Sequence, residues 1–144
     1  MQTRTPADMQ GKIERFWDLS GRKIISIEDR YDFSKGSPVF TQNGAYTTRG
    51  WTEWTEGFVY GSSVLQFDAT GDEQYLDLAK RTTVERMARH VSHIGVHDHG
   101  FNNVSTYGGL LRLMNEGKIP ENKWERDFYE LALKVSGAVQ ASRW

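Results

Sequence analysis

The sequence predicts an all-α fold built from helical hairpins, and three observations carry that expectation. Apolar residues recur at helical spacing over several stretches of the chain. Two shorter stretches, near 55–69 and 104–115, are apolar on nearly every side, and a long amphipathic stretch follows each. Connections within each pair are a few residues, which makes the partners antiparallel neighbours, one inner and one outer.

The first helix is signalled by Thr5-Pro6, with Thr5 as cap, Pro6 in the first turn and Asp8 three residues after the cap. Met9, Ile13, Phe16 and Trp17 share one face, and Ser20-Gly21 reads as its end. From 22 to 50 no helical period is visible. Ile24, Ile25 and Ile27 suggest a short strand, and Ser34, Gly36, Pro38, Asn43 and Gly44 suggest a long, turn-rich connection. A second helix is expected from near Thr55 to Ala69. Thr70-Gly71-Asp72 then turns the chain into a third, from Asp72-Glu73 to about Val91, whose apolar stripe includes Val84, Met87, Ala88 and Val91. A glycine-punctuated loop over 95–101 precedes a fourth helix over Val104 to Asn115. The fifth runs from Asn122 to about Ser142 with a stripe of Trp124, Phe128, Leu131, Ala132, Val135 and Val139.

Composition narrows the function classes. At 144 residues the chain fits one domain, and 26% charged with 38% hydrophobic residues is globular rather than disordered. A net charge of −1 gives no electrostatic reason to expect nucleic acid or an anionic membrane as partner. No apolar run is long enough to span a bilayer, and the first twenty residues lack the apolar core of a signal peptide, so a cytoplasmic location is expected. The absence of cysteine excludes disulfides, thiol catalysis and cysteinyl metal sites. Aromatic residues make up 12% of the chain, and such residues line sugar and ligand clefts as well as cores.

Three constellations could carry chemistry. All four histidines, His90, His93, His97 and His99, fall within ten residues with Asp98 among them. Spacing of four between His93 and His97 would suit a metal on one helix face, but Gly95 interrupts that helix; the plainer expectation is that His90 and His93 are surface cations at a helix end. Trp51 and Trp54 open the second helix, where Trp54 could stack on a sugar while Trp51 fills the core; Glu56 reads as a capping carboxylate. Asp98 sits between Gly95 and Gly100, which admit close approach of a ligand, and beside Phe101, whose ring lowers local polarity as a general acid at neutral pH requires.

In order, W-T-E-G-F at 54–58, T-G-D-E-x-Y-L-x-x-A from Thr70, and H-D-x-G-F at 97–101 resemble the unsaturated glucuronyl hydrolases, glycoside hydrolase family 88, over about Trp51 to Leu113. The resemblance implies an (α/α)6 toroid of six helical hairpins, of which two or three lie within 1–144, making this the N-terminal part of one catalytic domain. It implies oligosaccharides ending in an unsaturated uronic acid as substrates, released by hydration of the terminal vinyl ether, with no metal or organic cofactor. On this resemblance Asp98 is the catalytic acid or base, and Trp54, His97, Phe101 and His99 bind the sugar. Tyr60 replaces the family's usual proline, and His99 replaces a commonly apolar residue, which leaves the sugar and linkage open. A second catalytic aspartate is expected beyond Trp144, so the chain alone is expected to be inactive and to associate with itself or with the rest of its domain. The other class of function considered is a non-catalytic, sugar-binding or self-associating helical fragment.

Overall fold

In the computed structural model, which describes residues 5–143, the chain is mostly helical with one small two-stranded sheet. The helices are α1 (Gln10–Arg30), α2 (Glu56–Thr70), α3 (Glu73–Arg86), the short α4 (Ala88–Val91), α5 (Gly109–Asn115) and α6 (Lys123–Ala141). A π-helical segment, Gly100–Gly108, runs directly into α5. Trp144 and the continuation expected after it lie outside the described residues. Among the described residues, no helix is long and apolar enough to cross a membrane.

The pairing of α2 with α3, and of the π segment and α5 with α6, matches the two expected hairpins, and α2 packs against the π segment to join them. The core lies along that seam, where Val64, Tyr107, Leu110 and Leu113 are fully buried against Ala79 and Met87. Capping explains several boundaries. Asp72 accepts from the Gln74 N–H at the start of α3, and Asn122 accepts from the Glu125 N–H at the start of α6. At the N-terminus the Asp8 carboxylate reaches back to the Thr5 N–H, but the turn it closes is a 3-10 turn, Ala7–Met9, ahead of α1.

Four expectations are corrected. First, α1 does not stop at Ser20-Gly21. Gly21 is buried in mid-helix because a Cβ there would stand 2.4 Å from the Tyr75 hydroxyl, so the glycine admits a neighbouring side chain rather than a helix end. Ile24, Ile25 and Ile27 are therefore helical, half-buried rather than a strand. Second, the turn-rich connection contains an antiparallel hairpin, β1 (Ser37–Gln42) with β2 (Ala45–Arg49), bulged between Pro38 and Thr41. Its turn is Asn43-Gly44, both at positive φ, the conformation these two residues adopt at least cost. Third, the third helix breaks at Met87, and Val84 is exposed. Fourth, the buried face of α6 centres on Tyr129, Ala132 and Ser136, which leaves Trp124 and Leu131 in solvent. One flank of α2 is likewise open, with Leu65 exposed.

Candidate functional site

The two sequence motifs that open α2 and the π segment meet in space. Gly57 lies so close to the second motif that a Cβ would stand 2.0 Å from the Phe101 carbonyl oxygen and 2.4 Å from the Asn102 Cα. The Gly57 N–H donates to Asn102 Oδ1 at 2.9 Å. Because a backbone N–H can only donate, Asn102 must turn its NH2 toward His90 Nδ1, 3.2 Å away. His90 Nδ1 is then an acceptor, so its Nε2–H donates to Glu56 Oε2 at 2.5 Å. Arg89 completes the set with Nη2 at 2.7 and 2.9 Å from the two Glu56 oxygens. Glu56 and His90 are each only 1% exposed. Burial, with the Glu56 charge acting in the same direction, pushes the neighbouring Tyr60 phenol up to about 12.

This buried lock corrects two expectations. Glu56 is no capping carboxylate, and His90 is no surface cation. The signal in the sequence was present but ambiguous: a glutamate at the start of an apolar helix, and a histidine in the last turn of the helix expected to end near Val91. Trp51 is half-buried rather than core; it packs on His90 at 5.7 Å and His93 at 4.7 Å, with the Arg89 guanidinium 5.3 Å from its ring centre.

Facing outward from the lock is an aromatic cluster. Trp54, Phe58 and Phe101 are each about half-exposed, at 45, 46 and 48%. Their ring centres are 5.8 Å (Trp54 to Phe58), 5.6 Å (Trp54 to Phe101) and 5.4 Å (Phe58 to Phe101) apart. Asp98 stands in the turn that leads into the π segment, where its carbonyl accepts from the Asn102 N–H at 3.2 Å. Its side chain is 19% exposed and 3.5 Å from His97 Nε2, whose ring is largely in solvent. Trp54 and Phe101 thus share one surface, and the His97-Asp98 pair stands in the turn just before Phe101.

His99 does not join them. Its ring is 2% exposed; Nε2–H donates to the His93 carbonyl at 2.6 Å, and Nδ1 meets the Ser136 hydroxyl at 2.8 Å. Nδ1 thus ties the loop to α6, where Ser136 also accepts from Asn103 at 3.0 Å, and Nε2 ties the loop to itself. Such a ring has no free edge for a sugar. The metal reading of this region also loses its premise. His93 and His97 flank a non-helical stretch, and among the described residues no group of three or more histidine or acidic side chains is placed to hold a metal ion.

No family model, curated protein or solved structure matches the chain.

Proposed function

We propose that the chain carries one half of the active site of an (α/α)6 toroid hydrolase acting on oligosaccharides that end in an unsaturated uronic acid. The observation that carries the reading is the contact between the two motifs. Residues widely separated in the sequence are clamped together by Gly57, Asn102, His90 and Glu56, and this clamp sets Trp54 and Phe101 side by side, with Asp98 in the turn three residues before Phe101. A flat apolar ring pair suits a planar, partly unsaturated sugar. Hydration of its vinyl ether needs a proton delivered to carbon and one taken from water, work for a sheltered carboxyl such as Asp98. His97, in solvent beside Asp98, is the group to meet the sugar carboxylate.

A second reading is favoured by the exposed apolar flank of α2 and the π segment, where Phe58, Leu65 and Val104 are uncovered. It makes the chain a sugar-binding, self-associating fragment without catalysis. Calorimetry with an unsaturated uronyl disaccharide, followed by its ultraviolet absorbance, separates the two readings. The hydrolase reading expects binding that Trp54→Ala removes and Asp98→Asn keeps, no turnover by this chain alone, and turnover restored when the remaining hairpins are joined to it unless Asp98 is replaced. Binding without turnover in the joined protein supports the second reading. Absence of binding overturns the hydrolase reading and the sugar-binding form of the second, and a monomer by analytical ultracentrifugation overturns its self-associating form.

A further inference from the structure

A cavity of about 500 Å3 lies between α1, the β-hairpin and α2. Ligand pockets span about 300–1,000 Å3, so the space admits a small molecule. Two of the elements that enclose it are those the sequence misread. The second half of α1 presents Ile24 and Ile27, the hairpin presents Val39 and Tyr46, and α2 presents Phe58 and Val59. His97, Asp98 and Phe101 do not line it, so its chemistry stands apart from the groups assigned to the sugar.

The wall is aliphatic and aromatic over most of its surface. Two of its hydroxyl residues are turned to their own helices: Ser62 donates to the Val59 carbonyl at 2.7 Å and Thr82 to the Leu78 carbonyl at 2.8 Å. A ligand rich in hydroxyls would lose its hydration there without replacement, whereas an apolar body would be stabilised. Two charged side chains line the cavity, Lys23 and Glu28. Glu28 is neutralised by Arg86, at 2.8 and 2.9 Å, and by Arg81 at 3.0 Å. Two guanidinium groups against one carboxylate leave that side of the cavity positive. Lys23 is not neutralised: among the described residues no carboxylate pairs with it, and on its own helix Asp18 is held by Arg22. The Lys23 ammonium rests 4.8 Å from the Tyr46 ring centre, a contact that holds it against the hairpin. An apolar enclosure with one uncompensated cation complements a molecule that has an apolar body and one anionic end.

We propose that this cavity binds an amphiphilic monocarboxylate, of the class of medium-chain fatty acids, with its chain between α1, the hairpin and α2 and its carboxylate on Lys23. The chain needs only the apolar wall. The carboxylate gains an ion pair that stays partly hydrated, because Lys23 is exposed. A cationic head would be repelled by the same ammonium, and an uncharged one would gain nothing from it. This assignment does not depend on the sugar reading of the Trp54–Phe101 surface.

The test is calorimetry on this chain with decanoate, decanol and decyltrimethylammonium, each below its micelle-forming concentration. Decanoate is expected to bind about fivefold tighter than decanol, the most that an exposed ion pair supplies, and decyltrimethylammonium more weakly than either. Lys23→Met should bring decanoate down to the decanol level and leave decanol unchanged, while Lys23→Arg keeps the preference. Ile27→Trp, which fills the cavity, should weaken both ligands at least about tenfold. Because Ile27 also belongs to the packing of α1, Val39→Trp on the hairpin serves as the second filling variant and should act in the same sense. Leu65→Glu, on the open flank of α2, should change neither. Equal affinity for decanoate and decanol, indifferent to Lys23→Met, overturns the carboxylate assignment, as does decyltrimethylammonium binding as tightly as decanoate. Binding that Leu65→Glu removes and both filling variants leave intact places the amphiphile on the flank of α2 and overturns the cavity. No binding of any probe overturns the proposal outright. The unsaturated disaccharide experiment is untouched by these outcomes, so the two proposals fail separately.

Discussion

The two faces of the motif contact differ sharply although they are built from neighbouring residues. Inward, Glu56, Gly57, His90 and Asn102 are buried, and every bond between them has a defined donor and acceptor. Outward, the rings of Trp54, Phe58 and Phe101 pack on one another at tilted or edge-on angles and remain about half exposed. A helix sends successive residues to different sides, so one short motif serves both faces. The inner face tolerates no missing partner, because a buried polar group without one carries its full desolvation cost. The outer face has no such constraint, and a ligand can replace water on it. Rigidity inside is what fixes the spacing of rings outside.

Breaking the inner face should cost most. Gly57→Ala would drive a methyl into the Phe101 carbonyl, and we expect a loss of about 3 kcal/mol or more in urea unfolding. A loss well under that would mean the motifs are not in contact. Asn102→Ala removes the acceptor for the Gly57 N–H and the donor for His90 Nδ1, and should cost about 2 kcal/mol. It should also change the fluorescence of Trp54, reporting the loosened outer face; unchanged emission would show that the two faces are independent. Trp54→Ala, by contrast, should cost less than about 1.5 kcal/mol, because half of the ring is already hydrated.

The smallest effect is electrostatic and lies away from both faces. Burial would raise the Glu28 carboxyl, but Arg86 and Arg81 outweigh it and hold the group below the ordinary glutamate range. Its folded value being the lower one, the stability it contributes is present at neutral pH and is lost as pH falls from the unfolded value through the folded one. Glu28→Gln should therefore flatten the acid limb of a melting-temperature profile and leave ligand binding to the outer face intact. An unchanged acid limb would remove Glu28 from the account.

Helix identity was legible because its signals are local. The charge of Asp72-Glu73 at the start of α3, the turn at Gly71, the all-round apolar character of α2 and the start of α6 at Asn122 all lie within a turn or two of the residues they organise. Gly21 failed for the opposite reason. A glycine after serine reads as a stop, and the Tyr75 hydroxyl that requires the glycine comes from another helix. The isoleucines at 24, 25 and 27 favour strands by branching, yet Ile24 and Ile25 pack half-buried against the core within α1. Trp54, Phe101 and Asp98 were singled out as candidates because they sit in the two motifs, Phe101 and Asp98 among glycines. Glu56, His90 and Asn102 were not, since each is ordinary until its partners are known.

By itself, then, the sequence determined that the chain is mainly helical and how its two later hairpins pair, through apolar patterning and turn signals that act over short distances. Tertiary structure alone decided that Glu56 and His90 are buried partners, that His99 serves the packing, and that α1 and the hairpin enclose a cavity. Those outcomes depend on desolvation and close contact between residues far apart in the chain, and no local pattern encodes them.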